Sequence, residues 1–397
     1  MKKKRLAIIT THPIQYNAPL FKLLTERNQI TIKVFYTWGK TALENKYDPG
    51  FAKMIDWDIP LLEGYDYEFL ENTAEDKGSH HFRGIRNPDI IKRIDNFGPD
   101  AVLVYGWSFN SHLKALRHYH KNKPVIFRGD STLLDKSSFI KNRIRLFFLK
   151  WVYRFVDYAL YVGSNNFDYF EKLGLKNNQL LWAPHAIDNR RFSENAELYQ
   201  EKAVAFRKSL GITGERMIFL FAGKLEEKKD PGILLKAFEK SGLSDRADLV
   251  IVGNGKLEHE LKSSFDHHQS IHFIDFINQS EMPVIYRMSD VFVLPSSGPS
   301  ETWGLSVNEA MASGRPVIVS DKCGSAIDLV SAGTNGYIFK AGDLEDLKVK
   351  LQIMAKKNKD ELIEMGRNSG AKILEYSYDK FCLAVEKLLS EITYKAA

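Results

Sequence analysis

Val291-Phe-Val-Leu294-Pro-Ser-Ser-Gly-Pro-Ser-Glu301-Thr-Trp-Gly-Leu-Ser-Val-Asn-Glu309-Ala-Met-Ala-Ser-Gly-Arg-Pro316-Val-Ile-Val319 is the stretch that decides the fold. The apolar runs at its two ends predict strands covered on both faces, as in a parallel sheet. The Gly-bearing turn between them predicts the opening of a helix. Two carboxylates, Glu301 and Glu309, stand eight positions apart, one near the strand end and one on the predicted helix.

Outward from this unit, strand-like runs alternate with helix-like stretches. Leu6–Ile9, Ile32–Tyr36, Ala101–Tyr105, Val125–Phe127, Ala159–Val162 and Leu180–Ala183 are the predicted strands of a first half. Met217–Ala222, Asp248–Val252, Ile271–Phe273, Val291–Leu294, Pro316–Ser320 and Tyr337–Phe339 are those of a second. Amphipathic stretches such as Pro231–Lys240 and Leu344–Lys357 lie between them. The alternation predicts an α/β protein of two doubly wound, Rossmann-like parallel-sheet domains. The Pro-bearing polar stretch from Ala183 to Phe192 marks the boundary. The expected division is 1–190, 191–375 and a C-terminal helical segment, 376–397, that crosses back to the N-terminal domain.

At 397 residues, 44% hydrophobic and 27% charged, the chain has the make-up of a globular protein of about two domains. No apolar run approaches the roughly 18 residues needed to cross a bilayer. The apolar stretch after Met1-Lys-Lys-Lys-Arg5 is too short for a signal sequence and reads as a first strand. Cys323 and Cys382 form no metal-type spacing, and the expected compartment is the cytoplasm. Charge is uneven: 29 basic and 20 acidic residues through Arg190, against 27 and 30 in the remainder. The basic half suits an anionic membrane surface or an acidic acceptor, and no nucleic-acid motif is present.

Several groups at predicted strand ends can carry chemistry. Gly223-Lys224 and Lys229 follow one strand and precede a helix, where a pyrophosphate would need charge neutralised; a solvated loop is the plainer reading. Val252-Gly253-Asn-Gly255 resembles the opening of a dinucleotide fingerprint but has Glu258 in place of the third glycine. Carboxylates can grip hydroxyls, and a helix N-terminus offers N–H groups to phosphate. Hydroxyls plus phosphate describe a nucleotide-sugar. Glu301 alone is equally a carboxylate meeting a helix dipole.

These motifs occur in one order: Gly223-Lys-Leu-x-x-x-Lys229, Val252-Gly-Asn-Gly255, Glu301-Thr-Trp-Gly-Leu-x-x-x-Glu309, Gly324-Ser-Ala-Ile-Asp-Leu-Val330 and Asn335-Gly336. Taken together they resemble the family-4 retaining glycosyltransferases of the GT-B fold (glycosyl transferases group 1). The Thr11-His-Pro-Ile-Gln-Tyr-Asn-Ala-Pro19 stretch resembles one surface-polysaccharide branch of that family. The resemblance is strong over about residues 180–345 and otherwise architectural. It implies transfer of a sugar from a nucleoside diphosphate sugar to a hydroxyl of a glycan or lipid-linked acceptor, with the anomeric configuration retained.

The resemblance also implies roles. Glu301, Lys229 and Lys224 would be catalytic, Glu301 near the donor sugar and the lysines on its phosphates. Lys224 stands where the family usually has arginine, and so lacks the bidentate fork. Glu309 would take the ribose hydroxyls, the N–H groups of Trp303, Gly304 and Leu305 would face the diphosphate, and Gly223 and Gly253 would line the donor. The expected site needs no metal and no cofactor beyond the donor substrate. His12, Gln15 and Asn17 follow the first strand and are acceptor-side candidates; His12 is equally a helix cap. Arg128 and Asp130 stand in a loop where the family often has histidine.

Residues 136–156 place Ile140, Ile144, Phe147, Phe148, Trp151 and Phe155 on one helical stripe among cations. The stripe can pack on the sheet, or lie on the inner face of a membrane as a peripheral contact. Competing readings for the whole chain are a catalytically silent nucleotide-sugar-binding subunit, a sugar-nucleotide epimerase or phosphorylase, and a nucleotide-linked oxidoreductase. The missing third glycine opposes the last.

Overall fold

The computed structural model describes residues 3–44, 47–48, 50–134, 139–212, 214–298 and 301–392. The chain folds as two compact units. One comprises Met1–Lys46, Pro60–His185 and Tyr378–Ala397; the other comprises Tyr47–Ile59 and Ala186–Ser377. The first boundary thus falls after His185, and a short early segment joins the second unit. Nothing in the local pattern of that segment announced this placement.

In the first unit the strands are β1 (Arg5–Thr10), β2 (Thr31–Tyr36), β3 (Tyr67–Phe69), β4 (Ala101–Tyr105), β5 (Val125–Arg128), β6 (Tyr158–Tyr161) and β7 (Leu180–Trp182). Among the described residues they form one parallel sheet in the order β3-β2-β1-β4-β5-β6-β7. In the second unit β8 (Met217–Ala222), β9 (Ala247–Val252), β10 (Ile271–Ile274), β11 (Val291–Leu294), β12 (Val317–Ser320) and β13 (Gly336–Phe339) are ordered β10-β9-β8-β11-β12-β13, again all parallel. Both sheets reverse their strand order once, between β1 and β4 and between β8 and β11. In doubly wound sheets, ligands bind outside the carboxyl ends of strands at that reversal.

The apolar runs do what two-faced burial requires. Ile218 to Phe221 in β8 and Leu249 to Ile251 in β9 are fully buried. Helix α1 (Ala18–Glu26) turns Ala18, Leu20, Phe21 and Leu24 inward. In the second unit, α2 (Pro231–Lys240) starts where it does because Asp230 accepts from the Ile233 N–H and Pro231 occupies the first turn. The final helix, α3 (Tyr378–Glu391), belongs to the first unit. Its Phe381, Cys382, Val385, Leu388 and Leu389 are buried, and Glu386 receives a two-pronged bond from Arg27, with Nε–Oε1 and Nη2–Oε2 both 2.8 Å. The Tyr378 hydroxyl donates to the Tyr16 carbonyl at 2.9 Å.

Among the described residues, three short strands lie outside the predicted set. Strand β3 is a three-residue edge strand, too short for periodicity to declare. Tyr47–Asp48 pairs antiparallel with Lys53–Met54 within the early segment of the second unit.

Candidate donor site in the second unit

Helix α4 (Leu305–Ala312) follows β11 and opens at Gly304, whose φ of +91° lies in the left-handed region. A Cβ there would stand 2.6 Å from the Cys323 Sγ, 2.9 Å from a Leu294 methyl and 3.7 Å from the Glu301 Oε1. Only glycine allows this turn to lie so close to the loop after β12. That loop is stitched to the turn: the Gly324 N–H donates to the Glu301 carbonyl at 3.1 Å, and the Ser325 N–H to the Trp303 carbonyl at 3.1 Å. The Cys323 thiol donates to the same Trp303 carbonyl, and burial pushes its pKa up to about 12, with the Glu301 charge adding to the shift. Cys323 is therefore a packing thiol, with none of the thiolate character reactive cysteines need.

Glu301 is 9% exposed. Its Oε2 takes an ion pair from the Lys229 Nζ at 2.5 Å and a hydrogen bond from the Ser296 hydroxyl at 3.0 Å. Lys229 arrives from the loop after β8, in a single 3₁₀ turn, Glu227–Lys229, whose start is fixed by the Lys229 N–H on the Glu226 carbonyl. The loops after β8 and β11 are adjacent because those strands are paired across the order reversal. This brings together the cation and the carboxylate that sequence alone left far apart. The N–H groups of Leu305 and Ser306 precede the first hydrogen bond of α4, which the Val307 N–H makes to the Gly304 carbonyl at 2.9 Å, so an ammonium, a carboxylate and a helix N-terminus meet at one place.

Trp303 is buried, and its indole Nε1 donates to the Asn308 Oδ1 at 2.9 Å. That bond fixes the first turn of α4. Glu309 lies deeper, at 3% exposure, and accepts from the Tyr286 hydroxyl at 2.7 Å. Tyr286, on the short helix Met282–Met288, was not anticipated; its ring packs on Phe192 and Phe292. The Gly223 N–H bonds the Val252 carbonyl, and a Cβ on Gly253, at φ +132°, would meet the Gly223 carbonyl oxygen at 2.0 Å. Gly253 thus lets the loops after β8 and β9 touch.

Lys224 has a partner the sequence did not suggest. Its ammonium sits 2.9 and 3.0 Å from the two carboxylate oxygens of Asp48 and 5.1 Å above the Phe51 ring. Burial alone would raise the Asp48 pKa, but the Lys224 bond and charge and the N–H groups of Phe51 and Gly50 more than offset it, leaving the carboxyl below its usual range. The same early segment touches the turn after β10. Phe51 and Trp57 pack edge-on to Phe276, at 5.0 and 6.0 Å between centroids, and Lys53 pairs with Asp275 at 3.6 Å.

This segment also holds an Asp-x-Asp triplet, Asp56-Trp-Asp58, which the metal-free expectation passed over. Here it is an interlock. The Asp58 carboxylate accepts from the Ser280 N–H at 3.1 and 3.2 Å and from the Ser280 hydroxyl, while the Asn278 amide donates to the Asp56 carbonyl at 2.6 Å.

The acceptor-side candidates lie in the first unit, at the carboxyl edge of its sheet. His12 is half-buried, bonded to its neighbour Thr11 and edge-on to Trp38. Gln15 and Asn17 are half-buried in the turn before α1, and Asn17 occupies the N-cap position without a side-chain cap bond. The helix-cap alternative for His12 therefore falls away. Arg128 needs correction as an acceptor contact. It is buried at 7% exposure, and its guanidinium donates to the carbonyls of Leu160 (3.2 Å), Ala183 and Pro184 (3.0 Å). Burial lowers its pKa to about 10. It pins the end of β7 to β5 and β6, and is a structural residue. Asp130 lies 3.7 Å from the His185 Nε2, and burial lowers the pKa of that imidazole.

Comparison with known proteins bears on the second unit and on the fold. Residues 204–373 match the family described as "Glycosyl transferases group 1". An uncharacterized glycosyltransferase of Methanocaldococcus jannaschii is 31% identical over 34% of this chain and 35% of its own length. The N,N'-diacetylbacillosaminyl-diphospho-undecaprenol alpha-1,3-N-acetylgalactosaminyltransferase of Campylobacter jejuni is 27% identical over 57% of this chain and 58% of its own. The chain thus spans about a third to three-fifths of the length of these relatives. The solved structure of Anabaena HepE in complex with UDP matches at a TM-score of 0.70 with 15% identity, covering 98% of this chain and 100% of the other. At that identity the likeness establishes fold: both sheets belong to the GT-B architecture of two Rossmann-like domains.

Proposed function

We propose, taking as premise the group 1 glycosyltransferase domain at residues 204–373, that the chain transfers a sugar from a nucleoside diphosphate sugar to a hydroxyl of a glycan or lipid-linked acceptor. The observation that carries this reading is the pairing of Lys229 and Glu301 at the N-terminus of α4. A donor would exchange that pair for its own groups, sugar hydroxyls on Glu301 and diphosphate oxygens on Lys229, Lys224 and the first N–H groups of α4. As the bond from the anomeric carbon to the diphosphate breaks, its electrons leave with the diphosphate. The cations and N–H dipoles then meet a growing charge, which is where such groups lower a barrier. The acceptor hydroxyl is the nucleophile.

The finer parts of the reading are these. The anomeric configuration is retained, as the family resemblance implies. Glu309 takes the ribose hydroxyls, supported by its place about one turn along α4 from the helix start. The lysines, with no metal, neutralise the diphosphate. The Campylobacter jejuni relative names a diphospho-undecaprenol acceptor, which favours a lipid-linked acceptor, cell-surface polysaccharide synthesis and a cytoplasmic enzyme peripheral to the inner membrane face.

The test is a thermal-shift screen of the full chain against UDP, GDP, ADP and dTDP, with and without magnesium, followed by product analysis with the matching sugar nucleotides. A ligand specific to the folded state at 100 times its dissociation constant adds about 2.7 kcal/mol. One nucleotide should stabilise the chain without magnesium and fail to do so in Glu309→Ala. Stabilisation with no transfer product would favour the silent-subunit reading, and an isomerised sugar nucleotide the epimerase. Absence of any shift would remove the donor site.

A further inference from the structure

We infer that the first unit docks on an anionic lipid surface through a ridge built on the helix Phe139–Tyr153. This deepens the membrane part of the proposed function by assigning the surface, and it rests on observations in the first unit alone.

The helix buries one face and leaves another bare. Leu149, Val152 and Tyr153 are 2%, 0% and 3% exposed and join the core beneath the sheet. Ile144 and Phe147, expected on one stripe with Trp151, are instead 69% and 79% exposed, and Phe148 is 41% exposed. Core packing is thus complete without them, so burial in the fold does not explain their presence. They are not scattered either. Phe148 leans edge-on to Trp107 at 5.5 Å and lies 5.6 Å from Trp151, continuing the ridge across the neighbouring loop. Ile144, Phe147 and Phe148, exposed together on one side of the helix, mark an interaction site.

Charge selects the occupant. Residues 136–156 contain Lys136, Lys141, Arg143, Arg145, Lys150 and Arg154 and no acidic residue. At helical spacing, Arg143, Lys150 and Arg154 flank the ridge on the side away from the buried face, and all three are exposed. A protein partner would need a long acidic surface facing an apolar groove. An anionic bilayer supplies both at once: headgroup charge for the cations and an acyl boundary for Ile144, Phe147 and Phe148. Among the described residues no helix is long and apolar enough to cross a membrane, so the contact is one of lying on the surface.

The experiment is co-sedimentation of the full chain with vesicles of pure phosphatidylcholine, and with vesicles in which about one lipid in three is phosphatidylglycerol. Binding to the anionic vesicles should be at least tenfold stronger and should weaken with salt. Phe147→Glu, at a position too exposed to affect folding, should lower it roughly tenfold or more. Lys150→Glu should lower it as well while leaving the melting temperature unchanged. Equal binding by wild type and Phe147→Glu would overturn the assignment. So would a dimer in solution that Phe147→Glu dissolves, since that gives the ridge to a second copy. Nucleotide stabilisation measured on the same variants separates the two proposals. If it is absent while vesicle binding persists, the donor reading fails and this one stands.

Discussion

Asp48 and Lys224 form a two-pronged ion pair, 2.9 and 3.0 Å from the ammonium to each carboxylate oxygen, although 176 residues separate them in sequence. Lys224 is one of the two cations assigned to the donor diphosphate, and in this structure a carboxylate of the chain's own early segment already holds it. A diphosphate must therefore displace Asp48 or share the lysine with it. The pair is partly exposed, so its net strength is modest, on the order of 1 kcal/mol. Asp48→Asn should tighten nucleoside diphosphate binding a few-fold by calorimetry, and Lys224→Met should weaken it. Unchanged affinity in both variants would take Lys224 out of the donor site.

Lys229 and Glu301 are a different case, because both are nearly buried. Removing one partner strands the other, at a cost of roughly 3–5 kcal/mol. Lys229→Met should thus lower the melting temperature as well as turnover, while Lys229→Arg should keep much of the stability. Glu301→Gln retains the Ser296 bond and should fold, yet lose about 100-fold or more in kcat/KM. Full activity in Glu301→Gln would remove the carboxylate from the chemistry.

Gly304 makes a steric prediction. Alanine there meets both a positive φ and the Cys323 sulfur at 2.6 Å, and should cost roughly 2 kcal/mol or more by denaturant unfolding. Adding Cys323→Ala should relieve the contact with sulfur but leave the Leu294 contact and the backbone strain. A double-mutant cycle reads that coupling directly, and an additive outcome would mean that the loop after β12 moves aside freely.

A pH prediction comes from His112, which is fully buried in the first unit. Its Nδ1 faces the carbonyls of Tyr105 and Gly106 and therefore carries the proton, while Nε2 lies 2.8 Å from the Thr37 hydroxyl, which also reaches the Thr10 carbonyl at 3.1 Å. Burial lowers its pKa from 6.5 to about 4. Between those values the unfolded chain binds the proton and the folded chain does not, so stability rises with pH across the window. It is complete above about pH 6.5 and falls by about 3 kcal/mol on acidification to about pH 4. His112→Asn should flatten this part of the stability profile, measured by denaturant midpoints at several pH values.

Most strands were legible because two-faced burial leaves continuous apolar runs, and Ala101–Tyr105, Met217–Ala222 and Val291–Leu294 fall at the predicted limits. Lys229, Glu301 and Gly304 were legible as members of an ordered set of motifs. What sequence spacing could not supply was direction. Arg128 ends β5, one residue past the predicted strand limit, and its side chain turns into a cage of carbonyls rather than outward. The stripe from Ile144 to Phe155 has the period of a core-facing helix, yet only its Trp151 and Phe155 reach the core, beside Leu149, Val152 and Tyr153, while Ile144, Phe147 and Phe148 stay exposed. The partners of Lys224 and Glu309 were invisible because Asp48 and Tyr286 lie in other elements, brought near only by strand order.

Helix α3 carries a consequence for how the molecule is made. The first unit begins with β1 but includes α3, whose Glu386 grips Arg27 beside α1. The second unit needs only Tyr47–Ile59 and Ala186–Ser377. On a ribosome, the unit begun first is therefore the last whose parts are all available, and it waits through synthesis of the entire second unit with the seat of α3 uncovered. Until then, the apolar side chains that Phe381, Val385 and Leu388 will cover are open to chaperones and to other nascent chains.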